Sequence, residues 1–202
     1  MTDTTKIVLS EKELSLVNDE GWILTKQVII NKVYNLFSEL VPVISSSINE
    51  NAIVLPGEIT SSLPRIYKGE NYLQLPYVML DYPAYFKGED IFAIRTMFWW
   101  GNFFSITLHL SGKYKLMFEE TLLGNIDKLK HDFFVAIGKD QWQHHFQESN
   151  YLQASMFSND QLKENWNKHH FLKLALKFSL SNWNNTASSI GEGYLKIASV
   201  LR

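Results

Sequence analysis

The chain has 202 residues, 46% of them hydrophobic and 14% aromatic, which is enough for a substantial core in one domain. Its formal charge is −2, and no dense run of Lys and Arg supplies a local positive field, so nucleic acid is not an expected partner. Cysteine is absent, which removes disulfides, thiol nucleophiles and thiolate metal sites and leaves His, Asp and Glu as the strong ligands.

The first residues run through Ile7-Val8-Leu9 into the charged Glu11, Lys12 and Glu13, so no signal-peptide core is read there and a cytoplasmic location is the expectation. No apolar run approaches the roughly 20 residues that cross a bilayer, so no transmembrane segment is expected. Ser10-x-x-Glu13 reads as a capping box opening a short helix. A longer helix over residues 25–41 follows, with Val28, Val33, Leu36, Phe37 and Leu40 on one stripe, and Pro42 is expected to kink or shorten it. A polar link at Ser45-Ser46-Ser47 then leads into a connector punctuated by Pro and Gly that ends near Gly69.

Eleven of the 28 aromatic residues fall between Asn71 and Leu110. Tyr72–Asp81 reads as a strand, and Ile91–Trp100 with Phe103–Leu110 as a β-hairpin closed by Gly101 and Asn102. A two-residue loop pairs Trp100 with Phe103. It places Ala93, Arg95, Met97, Trp99, Phe104, Ile106, Leu108 and Leu110 on one face, read as the core, and Trp100, Phe103, Thr107 and His109 on the other.

Glu119–Ile137 has helical spacing with Gly138 as its stop, and Trp142, His144 and Phe146 alternate as a short strand. Ser158 or Asn159 caps a helix through Trp166. The strand after it sends Leu172, Leu174, Leu176, Phe178 and Leu180 inward and Lys173, Ala175, Lys177 and Ser179 outward to water. A last helix starts near Thr186. Gly191 and Gly193 inside it each cost ~1 kcal/mol relative to Ala, so either a close packing partner needs them or the helix begins after Gly193. Together these elements predict an α+β fold over residues 1–202 as a single domain: a mainly antiparallel sheet, with strands near 72–81, 91–110 and 171–181, and helices packed on it.

Candidate functional residues cluster at the hairpin. Arg95 interrupts an apolar face and requires an acid, for which Asp81 is the nearest choice, with Glu70 and Glu89 as alternatives. A buried pair of this kind serves either as a structural ion pair or as an anchor that clamps a carboxylate or phosphate. The leading expectation is a non-enzymatic binding domain for a small apolar or anionic ligand or a partner protein. Its expected contacts are Asp81, Tyr82, Arg95, Trp100, Phe103 and His109. The alternative is a small-molecule enzyme with Asp81 or His109 as acid or base and Arg95 stabilising an anion. A third reading makes the aromatic face a homodimer interface. The pairs His144-His145 and His169-His170 can each give one side chain to a site, but no metal-binding spacing appears, so no metal or cofactor is expected. No phosphate loop or nucleophile-elbow pattern is present.

Overall fold

The computed structural model describes residues 8–202 and shows an α+β fold. Seven strands form one antiparallel sheet: β1 (Arg65–Tyr72), β2 (Leu75–Lys87), β3 (Asp90–Trp99), β4 (Phe103–Ser111), β5 (Phe134–Ala136), β6 (Tyr151–Gln153) and β7 (Phe171–Ser179). Their order across the sheet is β1-β2-β3-β4-β7-β5-β6. The helices are α1 (Glu11–Val17), α2 (Glu20–Glu50), α3 (Gly57–Thr60), α4 (Lys113–Gly124), α5 (Ile126–Leu129), α6 (Asn159–Lys168) and α7 (Thr186–Val200).

The principal core lies between one sheet face and the helices. Val78, Leu80, Ile94, Phe98, Phe104, Ile106, Leu108, Leu174 and Leu176 meet Val33, Phe37 and Leu40 of α2, Phe118 and Leu122 of α4, Leu162 and Trp166 of α6, and Ile190, Tyr194 and Ile197 of α7. The Ser10 capping box forms as read, and Ser158 closes a second one on Gln161. Helix α2 passes straight through Pro42, which sits on the solvent side while Ile44 and Ser47 bury the turns beyond it, so tertiary packing overrides the local penalty. By length and composition α2 would also suffice to cross a bilayer, but from Ile30 onward its apolar stripe is spent on the sheet. Gly193 lies within α7, where an added Cβ would come within 2.6 Å of Ile106 and 2.9 Å of Phe178, so the glycine allows the helix to sit directly on the sheet.

Several expectations are corrected. The strand read over 72–81 is two strands joined at Leu73 and Gln74, both with positive φ, and β1 begins at Arg65 inside the segment read as a connector. The helix read over 119–137 is α4, α5 and then β5. Asn125 breaks it by turning its side-chain amide to the carbonyls of Thr121, Val200 and Arg202. Trp142, His144 and Phe146 belong to a loop, not a strand.

The most consequential correction is the hairpin register. The turn contains Trp100, Gly101 and Asn102, with Gly101 at φ 71°, so Trp99 pairs with Phe103 and Phe98 with Phe104. This is a three-residue loop with glycine in the left-handed position. One residue of slip exchanges the faces of β4. Phe104, Ile106, Leu108 and Leu110 therefore join Ile94 and Phe98 under the helices, and Phe103, Ser105, Thr107 and His109 share the opposite face with Arg95.

That opposite face is also covered. Lys173 and Ala175, read as facing water, are 1% and 0% exposed. Their cover is the loop between β5 and β6. It is closed at its base where the Ile137 and Gly138 N–H groups donate to the Asn150 carbonyl at 2.9 and 3.3 Å, the geometry of an Ω-loop. Gly138 marks that closure and not a helix stop, since a Cβ there would lie 2.8 Å from Asn150 Oδ1.

Candidate functional site

Between the Ω-loop and the sheet lies a polar layer. Strand alternation alone sends Tyr67 of β1, Asp81 of β2, Arg95 of β3, Thr107 and His109 of β4 and Lys173 of β7 to this face. Asp81 and Arg95 are direct cross-strand partners, as are His109 and Lys173.

Arg95 Nε donates to Asp81 Oδ1 at 2.6 Å and Nη2 donates to Oδ2 at 3.0 Å, a bidentate pair whose side chains are 8% and 4% exposed. The Tyr67 hydroxyl adds a third bond to Oδ2 at 3.1 Å. Burial works against the guanidinium charge, but the Asp81 carboxylate outweighs it, so Arg95 holds its proton more firmly than usual. Burial also pushes the Tyr67 hydroxyl up to about 12. The rings of Phe86 and Trp142 lie 5.7 and 5.9 Å from the guanidinium carbon and screen it from water. The remaining edge, Nη1, faces His144 Nε2 at 3.5 Å.

Among the described residues Lys173 forms no ion pair. Its ammonium donates to the loop carbonyls of Gln141 at 2.9 Å and Gln143 at 2.6 Å, and it stands 5.4 Å from the Tyr151 ring centre. Burial, reinforced by the charge of Arg95, lowers its pKa to about 7. His109 and His144 are held well below the ordinary histidine range, first by burial and then by the neighbouring Lys173 charge, so both are neutral at pH 7. Since a carboxamide oxygen only accepts, the contact of 3.0 Å from His109 Nε2 to Gln141 Oε1 puts the His109 proton on Nε2.

The loop is fastened by polar contacts at several points. The Tyr72 hydroxyl accepts the N–H groups of His144 at 2.7 Å and His145 at 3.0 Å. The Asp140 carboxylate organises the loop internally, taking the Trp142 N–H and the Gln143 side-chain amide at 2.9 Å each. Phe146 stacks on Tyr151 at 4.9 Å and meets Phe103 edge-on at 5.0 Å. The buried Tyr151 hydroxyl makes no well-formed hydrogen bond among the described residues, although Thr107 is near enough to act on it.

Of the residues singled out by sequence, Asp81, Arg95 and His109 converge in this layer. Phe103 shares the face but lies at the hairpin end, where it lines a surface cleft of about 320 Å³ with Trp99, His145, Phe146 and Lys177. Tyr82 points to the helix side, its hydroxyl 3.0 Å from Ser45 Oγ, because it is the next residue along the strand from Asp81. Trp100 is in the turn, packed on Phe98 and Trp22. Sequence reasoning missed Lys173, Tyr67 and Tyr72. Lys173 stood in the alternation of its strand, but as the supposed solvent row. His144, considered by sequence only as one member of its pair that could serve a site, is the one whose ring turns toward Arg95. Among the described residues no group of three or more acidic or histidine side chains is placed to hold a metal.

Chemically, the layer sets Arg95 and Lys173 against one buried carboxylate, which spends both oxygens on Arg95 and Tyr67, while the loop carboxylate of Asp140 acts on Lys173 only through space. An acceptor that brings negative charge is what this composition lacks. As proton carriers, neutral His109 and His144 and the readily deprotonated Lys173 are the groups at hand. Comparison of the chain with family models, with curated proteins and with solved structures returned no match.

Proposed function

We propose that this protein binds a small anionic molecule of the carboxylate or phosphate class on the sheet face roofed by the Ω-loop, and that it acts as a binding protein and not as a catalyst. The observation that carries the reading is Lys173, a buried ammonium whose acceptors are two backbone carbonyls of the covering loop. When the loop lifts, those carbonyls leave together, and an anion can take their place between Lys173 and the Nη1 edge of Arg95, which His144 of the loop then vacates. His109 and the Tyr151 hydroxyl are further donors at hand. Asp81 keeps Arg95 oriented by its bidentate grip and does not itself contact the ligand.

An anion beside Lys173 favours its charged form, so binding near pH 7.5 takes up a proton. Isothermal titration with inorganic phosphate and with short mono- and dicarboxylates, repeated in buffers of different ionisation enthalpy, tests this. The expected result is binding with proton uptake that disappears in Lys173→Met. Folded protein that shows neither heat nor amide shifts in NMR with any of these anions at millimolar concentration overturns the reading.

A further inference from the structure

The N-terminal helices leave an apolar surface that the rest of the described chain does not cover. Helix α1 buries no residue at all, and α2 buries none before Ile30. Leu14, Val17, Trp22, Ile23, Leu24 and Val28 are 40–70% exposed. A concentration of exposed apolar side chains on two successive helices points to an interaction site.

The charges around it indicate the occupant. Glu20, Leu24, Val28 and Lys32 recur every fourth residue and form one exposed ridge of α2. Glu20 and Lys32 are equally distant from Lys26 in opposite directions, and so are Leu24 and Val28. A two-fold axis through the ridge midway between Leu24 and Val28, level with Lys26 but on the opposite side of the helix from it, therefore sets Leu24 of each copy against Val28 of the other and Glu20 against Lys32, which is the self-complementarity an isologous dimer requires. A membrane surface fits less well. The acids Glu11, Glu13, Asp19 and Glu20 outnumber the exposed Lys12 and Lys32 around the patch, and Lys26 is paired with Glu70, whereas interfacial helices carry a predominantly basic polar face.

We infer that the chain forms a two-fold dimer through antiparallel packing of the Glu20–Lys32 ridge of α2, with α1 extending the contact. Sedimentation velocity of the full chain from low to high micromolar concentration tests it, with vesicle flotation on neutral and anionic phospholipid as a second arm. The wild-type chain is expected to dimerise. Leu24→Glu, at a position the fold does not use, is expected to be monomeric with an unchanged melting temperature. Glu20→Lys or Lys32→Glu alone creates two like-charge contacts and weakens association roughly three- to thirtyfold, and the double exchange Glu20→Lys/Lys32→Glu restores it. A monomeric wild-type chain overturns the inference, whether or not it floats with vesicles. So does a dimer that the double exchange fails to rescue, because the register would then be wrong.

Discussion

Removing either half of the Arg95–Asp81 pair leaves the other half charged in a dry layer, and the consequence can be worked out from the contacts. In Asp81→Leu the guanidinium loses both carboxylate bonds and keeps Tyr67 at 3.4 Å, His144 at 3.5 Å and two aromatic faces, none of which carries negative charge. An uncompensated buried charge of this kind costs about 3–5 kcal/mol. For a domain of this size that is a fall in melting temperature of roughly 6–20 °C. Arg95→Met should cost a similar amount, because the Asp81 carboxylate is then left with the Tyr67 hydroxyl alone. Asp81→Leu/Arg95→Met removes both charges and replaces them with apolar groups of similar volume, and the main remaining loss is the acceptor of Tyr67, about 1 kcal/mol. The double variant should therefore lie far closer to wild type than the sum of the singles, with several kcal/mol of coupling in a urea-unfolding cycle. It should also fold without binding anions, which separates the structural from the proposed recognition role of Arg95. Single variants that each cost under about 1 kcal/mol and simply add would refute the reasoning. The pair would then be hydrated and worth no more than a surface salt bridge.

Lys173 has a folded-state pKa of about 7, below its unfolded value, so the unfolded chain binds more protons between pH 7 and 10.5 and this residue makes stability rise with pH across that window. Urea midpoints for wild type and Lys173→Met should converge as pH rises from 7 to 10, and parallel curves would show the amine to be solvated. His109 and His144 are neutral when folded, so stability should fall as pH drops below 6.5, and His144→Gln should flatten that acid limb. Gly191→Ala places its Cβ 3.5 Å from Val43 and should stabilise by up to ~1 kcal/mol. Gly193→Leu drives α7 off Ile106 and Phe178 and should cost at least ~2 kcal/mol, both changes being read by thermal melting.

The parts of the fold that were legible in the sequence are those whose determinants are local. The Ser10 capping box, a cap at Ser158 or Asn159 (Ser158 in the structure), the alternation of β7 and the start of α7 follow from side chains within a few positions of each other. The Arg95–Asp81 pair was legible for a different reason: a buried guanidinium among apolar residues demands an acid, and the face that the corrected register gives Arg95 is also covered. What failed depended on a single residue or on distant packing. Gly101-Asn102 reads as a two-residue turn, but Trp100 joins the turn and its N–H donates to the Pro76 carbonyl of β2 and not to β4, a partner distant in sequence. Likewise the helical spacing of Leu122, Ile126, Leu129 and Phe133 is real, but Asn125 finds carbonyl partners at the end of α7 that no local pattern announces.

The same slip accounts for why the candidate site was only half visible. With β4 reversed, the residues read as sharing the face of Arg95 were the aliphatic ones, and Thr107 and His109 were assigned elsewhere. Correcting the register sorts the sheet into an apolar face that meets the helices and a polar face that meets a loop. These two faces differ in what holds them. Burial against α2, α4, α6 and α7 is hydrophobic and cannot be released locally without unfolding, whereas the Ω-loop is held mainly through Lys173, Tyr72, His109 and the ring of Phe146. A cover fastened by polar contacts over a charged layer can open while the helical core stays intact. Amide exchange resolved by residue should therefore show Gln141–Phe146 opening at lower free energy than β3 and β4, and equal protection of the two would make the loop part of the core and remove the route by which an anion reaches Arg95.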